Sequence, residues 1–277
     1  MLKLGHRPKE RFFMNDIFPA FLMALFAGLS TGIGSMIAVL SKNTNPKFMS
    51  LTLGFSAGVM MYVSLTEIAS KATDALASAF GGRGGCAAFL LSFFGGILLI
   101  ALIGRFIPSF EGERAQKCFQ KDNSISNSQL MRTGLFCAFA IALHNFPEGM
   151  ATFVSALRDP GIALPVVVAI AIHNIPEGIA VAAPVFRATG SRKAAFCVSF
   201  LSGLAEPVGA LFCWLILMPI MSDTVFGIIF GACAGIMVYI CIDEIIPAAE
   251  DSGHHSLSVL GFILGMAVMA LSLWLFV

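Results

Sequence analysis

Apolar runs long enough to cross a bilayer recur along the chain, at 17–40, 50–73, 86–107, 132–157, 161–186, 194–219, 225–248 and 257–277. About 20 consecutive apolar residues span the hydrocarbon core as a helix, and a helix satisfies its own backbone where water cannot reach. The pattern predicts an all-α polytopic membrane protein with eight transmembrane helices. Of 277 residues, 57% are hydrophobic and 12% charged, which excludes an ordinary soluble domain. A net charge of +1 without any basic run argues against nucleic acid as a partner. No glycine-rich turn leads into Lys-Ser/Thr, so no nucleotide is expected. The seven cysteines form no C-x-x-C pair and mostly sit in apolar stretches, where they read as small packing residues.

Lys3, Arg7, Lys9 and Arg11 precede the first apolar run in the manner of a secretory signal. That run continues to Leu40, too long for a signal core and long enough to span. Met14 is a candidate alternative start, which makes the basic segment an extension. The expected division is a basic extension at 1–16 and one transmembrane domain at 17–277. Its parts are a first repeat at 17–107, a polar loop at 108–131, a central pair at 132–186 and a second repeat at 194–277. The loop carries Glu111, Glu113, Arg114, Lys117, Lys121 and Asp122 and has no histidine.

Counting Lys and Arg by side predicts that both termini lie outside. With the N-terminus out, the inner loops hold ten basic residues against seven outside, four of which belong to the N-terminal extension; inner loops are the basic ones.

The outer parts of the chain repeat each other. At an offset of 177, Gly54, Ala57, Gly58, Met60, Tyr62, Glu67 and Ile68 fall on Gly231, Ala234, Gly235, Met237, Tyr239, Glu244 and Ile245. At an offset of 175, Gly28, Leu29, Thr31 and Gly34 fall on Gly203, Leu204, Glu206 and Gly209. The implied arrangement is three helices, a central pair and three helices again. Because three is odd, the triplets have opposite topologies, and inverted repeats mark transporters that alternate access. Glycines four residues apart, such as Gly54 with Gly58 and Gly261 with Gly265, let helix backbones approach closely. They serve internal packing or a homodimer contact.

The central pair carries one six-residue word twice: His144-Asn145-Phe146-Pro147-Glu148-Gly149 and His173-Asn174-Ile175-Pro176-Glu177-Gly178. Ionisable groups inside spans are expensive and mark functional sites. Residues four apart share a helix face, so each copy turns an imidazole and a carboxylate the same way. Two such helices facing each other supply four metal ligands. Asn145 and Asn174 lie about 100° round from the histidines and could offer amide oxygens to a neighbouring position. Pro147 and Pro176 remove a helical hydrogen bond each, leaving the carbonyls of Leu143 and Ile172 without their usual partner. A plainer use of the His-Glu pairs is hydrogen bonding between the two helices.

Glu206, followed by Pro207, is a third intramembrane carboxylate whose best use is as a ligand beside the asparagines. Glu67, Asp243 and Glu244 lie towards helix ends, where they line an access route or are simply solvated. His254, His255, Glu250 and Asp251 form a polar cluster in the last inter-helix loop, read as a hydrophilic turn rather than a surface metal trap. His6 carries no signal.

The doubled His-Asn-x-Pro-Glu-Gly motif, the Glu-Pro of the next helix and the eight spans resemble the ZIP (Zrt/Irt-like protein) divalent-metal transporters. Size and the short loop look like the bacterial branch of that family. The resemblance implies an inner-membrane protein that takes up zinc, iron, cobalt or manganese as substrate, with no cofactor. It also implies two adjacent metal positions. One is held by His144, Glu148, His173 and Glu177; the other by Asn145, Glu148, Asn174, Glu177 and Glu206, with Glu148 and Glu177 bridging. Some members have Gln and Asp where His173 and Asn174 stand here, so this chain replaces a carboxylate with an amide. The loop of relatives is often His-rich, which this one is not.

The mixed nitrogen and oxygen donors suit Zn²⁺, Fe²⁺, Co²⁺ or Mn²⁺, whereas all-oxygen sites favour Mg²⁺ or Ca²⁺. Two other functions compete. A zinc-dependent intramembrane hydrolase usually shows H-E-x-x-H on one helix, an order neither motif has. A proton-coupled carrier of an organic solute uses the carboxylates alone and binds no metal tightly.

Overall fold

The structure, a computed structural model, describes residues 14–40, 45–106, 127–158, 160–250 and 253–275. Among them every regular element is a helix. The basic N-terminal segment with His6, residues 107–126 of the polar loop, and Asp251 lie outside the described residues.

Among the described residues the α-helices follow in order: α1 Met14–Leu40, α2 Pro46–Val63, α3 Ala69–Phe106, α4 Asn127–Arg158, α5 Pro160–Thr189, α6 Arg192–Gly203, α7 Ala205–Phe212, α8 Asp223–Ile240, α9 Ile246–Glu250 and α10 His255–Leu275. Several starts are legible as caps. Asn45 Oδ1 accepts from Lys47 N–H, Ser191 Oγ from Ala194 N–H and Ser222 Oγ from Val225 N–H, each satisfying an amide left open by a helix N-terminus. Six of the continuous helical runs described are long and apolar enough to cross a membrane, so the chain is a multi-pass integral membrane protein.

One of those runs, Pro46–Gly104, is 59 residues long. Straight, it would measure about 90 Å, far beyond one bilayer crossing. It is broken at Gly81, whose φ of 76° and ψ of 171° are open essentially to glycine alone. A Cβ on Gly85 would overlap Ala77, so the chain doubles back at this turn.

The helices form two groups. In one, α1 packs along α5 and α6, and α4 along α5 and α7; in the other, α2 packs along α10 and α3 along α8. They meet where α2 lies against α5 and α4 against α8. The run at Val166–Thr189 in α5 is the most enclosed of the six, 83% buried against 22% for that of α10, and α5 carries one copy of the motif. Phe18, Leu22, Phe26, Leu29, Ile33 and Met36 of α1 are exposed; at three- and four-residue spacing they form the apolar stripe a helix turns to lipid.

Close backbone contacts come in pairs related by the sequence offsets. A Cβ on Gly58 would overlap Phe262 O, and one on Gly235, its counterpart at the larger offset, would overlap Phe93 O. A Cβ on Gly34 would overlap Ile175 O, and one on Gly209, its counterpart at the smaller offset, would overlap Phe146 O. Gly28 and Gly203 each face the other's carbonyl oxygen. Two π-helical turns, Ser64–Ile68 and Cys241–Ile245, also correspond at the larger offset.

These π turns alter the expected setting of three acidic residues. Glu67 lies inside a helical run that continues to Phe80, and Asp243 and Glu244 inside the run Asp223–Glu250. Each carboxylate sits where an extra residue widens a helical turn, instead of at a helix end.

Gly58→Ala is expected to lower stability in detergent by about 1–3 kcal/mol, the usual cost of overpacking. Gly104→Ala, where a Cβ meets nothing within 4 Å, should be neutral or raise stability by about 0.5–1 kcal/mol. Equal melting temperatures for the two variants would contradict this packing.

Candidate metal centre

Both copies of the repeated word lie on continuous helix. α4 runs through Pro147 and α5 through Pro176, side by side. The glycine that closes each word is where a third helix arrives: a Cβ on Gly149 would overlap Glu206 O, and one on Gly178 would overlap Thr31 O. Gly149 thereby sets the backbone of Glu206 directly against α4, next in sequence to Glu148.

Glu206 stands at a break. α6 ends at Gly203 and α7 begins at Ala205, and the local cause is Pro207, which has no N–H to give to the carbonyl of Gly203. The carboxylate occupies the first turn of α7, the end of a helix that favours negative charge.

The side chains from these three sources converge. His173 Nε2 lies 3.3 Å from Glu148 Oε1 across the α4–α5 contact. Asn174 Nδ2 donates to Glu206 Oε1 and to Ala27 O. Ser56 of α2 donates to Glu177 Oε1 at 3.0 Å. Glu148 and Glu177 both lie close enough to act electrostatically on His173 and on Glu206. Asn145, His173, Asn174 and Glu206 are 0% exposed, and Glu148 and Glu177 are 1% exposed.

What remains unsatisfied defines the chemistry. Asn145 Oδ1, both oxygens of Glu148, both ring nitrogens of His173, Asn174 Oδ1 and Glu206 Oε2 are buried without a hydrogen-bond partner among the described residues. His173 and Glu148 therefore touch without hydrogen-bond geometry. The asparagines are held by their amide nitrogens, Asn145 to Ser202 O at 3.5 Å and Asn174 to Ala27 O at 3.0 Å, which leaves their carbonyl oxygens to accept from elsewhere. Native interiors seldom leave such groups unpaired, and two of the residues are carboxylates. Carbonyl, carboxylate and imidazole atoms together are a donor set for a divalent cation.

Among the described residues no three His, Cys, Asp or Glu side chains converge closely enough to grip one ion as they stand. The side chain of His144, on α4, lies outside what is described. The other acidic candidates stand apart from the cluster. Glu67 pairs with Lys71 at 2.6 Å, Asp243 is exposed, and His255 Nδ1 faces Glu250 Oε1 at 2.8 Å on the surface.

Serines were missed by the sequence reading. Ser56 sits between Gly54 and Gly58, in a stretch that reads only as packing, yet it reaches a motif glutamate. Ser35 Oγ donates to Ser199 Oγ at 2.7 Å, and Ser199 Oγ to Gly178 O at 2.9 Å, so a hydroxyl chain ties α1 and α6 to the end of the second motif. A single serine in an apolar run gives no signal of its own; only the distance between helices shows its use.

Fold and site together define a multi-pass helical membrane protein with nitrogen and oxygen donors of the kind that can bind a metal clustered in its interior. The ZIP Zinc transporter family profile matches residues 109–273. The chain is 55% identical over 261 residues to the zinc transporter ZupT of Streptococcus mutans serotype c, covering 94% of this chain and 98% of that one. It is also 55% identical over 265 residues to ZupT of Chlorobium chlorochromatii, at 95% and 99% coverage, and 48% identical to ZupT of Clostridium perfringens over 279 residues, at 95% and 98%. The chain belongs to the ZIP zinc transporter family.

Ser199→Ala is expected to cost about 1 kcal/mol of stability, the net worth of a typical buried hydrogen bond, read as a lower melting temperature in detergent. An unchanged melting temperature would mean that the hydroxyl chain does not hold α6 in place.

Proposed function

We propose that this protein carries Zn²⁺, and with it Fe²⁺, Co²⁺ or Mn²⁺, into the bacterial cytoplasm through a two-metal site, by alternating access. The observation that carries the reading is the set of seven buried, unpartnered donor atoms on Asn145, Glu148, His173, Asn174 and Glu206, all on the two motifs and the Glu-Pro turn. One position uses His144, Glu148, His173 and Glu177. The other uses Asn145, Asn174 and Glu206, with Glu148 and Glu177 shared. Two divalent cations there offset three carboxylates, which an apolar interior otherwise tolerates poorly. The metal is substrate, and the protein is a transporter and no enzyme.

Eight crossings in a 3+2+3 inverted repeat are supported by the reversal at Gly81, by α4 and by the paired contacts at offsets 175 and 177, and the domain at 17–277 with both termini outside is supported by the apolar runs and the balance of basic residues. The grouping of helices supports the motion: the ligand-bearing α4, α5, α6 and α7 pack with α1, while α2, α3, α8 and α10 form a second body. Sliding of one body past the other would expose the site to each side in turn. Glu67, Asp243 and Glu244, on the π turns of the second body, line the route.

The direct test is uptake of radioactive zinc into proteoliposomes by the intact protein and by Glu177→Ala. Uptake is expected from the first and to be lost in the second. Equal flux in both would overturn the site, and no flux from either, with folding intact, would overturn the function. Because metal displaces protons from imidazole and carboxylate, zinc affinity should fall as pH is lowered; an affinity that rises towards acid pH would contradict the ligand set.

A further inference from the structure

Thr31, on α1, has no role in the ligand set above. It is 0% exposed, and its Oγ1 is buried without a partner among the described residues. Many hydroxyls in the chain turn back on their own helix: Ser64, Thr66 and Thr73 each donate to the carbonyl four residues back, the usual recourse of Ser and Thr in a helix, whereas among the described residues Ser50 and Thr152 share with Thr31 a buried, unpartnered oxygen. For Thr31 the carbonyl four residues back is Ala27 O. It already accepts from Ser30 Oγ at 2.5 Å and from Asn174 Nδ2 at 3.0 Å. The second motif thus occupies the acceptor that Thr31 would otherwise use.

The repeat says where the hydroxyl stands. Thr31 and Glu206 correspond at the same offset that relates Gly28 to Gly203, whose backbones face each other. Asn145 and Asn174 are the matching residues of the two motifs. Their amide nitrogens reach Ser202 O and Ala27 O, carbonyls that themselves correspond at that offset. Asn174 is paired with Glu206; by the same relation Thr31 corresponds to Glu206 on the side of Asn145, whose Oδ1 is also unpartnered among the described residues. The backbones agree. A Cβ on Gly149 would overlap Glu206 O and one on Gly178 would overlap Thr31 O. Room for the side chain comes from Gly203, where a Cβ would fall 2.8 Å from Thr31 Oγ1.

We infer that Thr31 Oγ1 is a further ligand of the asparagine-lined metal position, the neutral counterpart of Glu206 on the opposite side. A threonine hydroxyl offers lone pairs to a cation or to water bound on it, and a hard oxygen donor suits Mn²⁺ in particular. The assignment rests on the two-metal reading above. It makes the position asymmetric in charge, one wall anionic and the other neutral, so the repeat has kept the geometry of both walls and changed the charge of one.

Zinc binding by the purified full chain in detergent, measured by equilibrium dialysis for the wild type, Thr31→Val, Thr31→Ala and Thr31→Ser, tests this. The wild type is expected to bind two zinc ions and Thr31→Ser to do the same. Thr31→Val and Thr31→Ala should weaken one of the two positions roughly tenfold, a usual loss for a group that supports a metal site, and leave the other unchanged. Unchanged affinity in Val and Ala overturns the assignment while the two-metal reading stands. A fall in Ser as large as in Val also overturns it, because packing and not the oxygen would then be what matters. If Val fails to fold, Ala against Ser decides the matter alone. A wild type that binds no zinc overturns the underlying reading and this one with it.

Discussion

Polar atoms kept inside an apolar interior must find partners, and the architecture of this protein follows from how it meets or withholds that demand. Backbone groups are satisfied by making every described element a helix. Many serine and threonine hydroxyls turn back on their own helix. Among the described residues most of the exceptions gather at the motifs of α4 and α5 and the break before α7, where carboxylates, an imidazole and two carboxamides are brought together and left incompletely paired. An unpaired carboxylate in a low-dielectric interior is costly, a cost that a bound cation would offset.

Glycine makes that clustering feasible. The last residue of each motif is the one whose missing side chain admits the backbone of Glu206 or of Thr31. The motif therefore specifies two things at once: which donors are offered and how near a third helix comes. Proline acts on α6–α7, where Pro207 leaves Gly203 O without its helical donor and the helix breaks beside Glu206. In α4 and α5 it leaves the helix continuous.

Much of this was legible in the sequence, since lipid imposes strict rules. Span length, the doubled word and the offsets of 175 and 177 are long-range patterns that single substitutions do not erase, and each has a counterpart in the helices, the α4–α5 pairing and the matched contacts. What escaped was set by approach between helices. Ser56 looked like part of a packing stripe until α2 was laid against Glu177. Glu67 read as a helix-end residue because a π turn has no sequence signature distinct from α-helix, although its pairing with Lys71 is the ordinary contact of residues four apart on a helix. The six residues of each motif share one signal, but the serine chain through Ser35 and Ser199 has none.

The central claim is that the two motifs grip a common cation with nitrogen and oxygen donors. Zinc-edge X-ray absorption on the purified, zinc-loaded protein tests it most directly. The account predicts a shell of nitrogen and oxygen at about 2.0–2.1 Å with imidazole scattering and no sulfur. A sulfur shell at about 2.3 Å, or a spectrum of zinc surrounded by water alone, would contradict it.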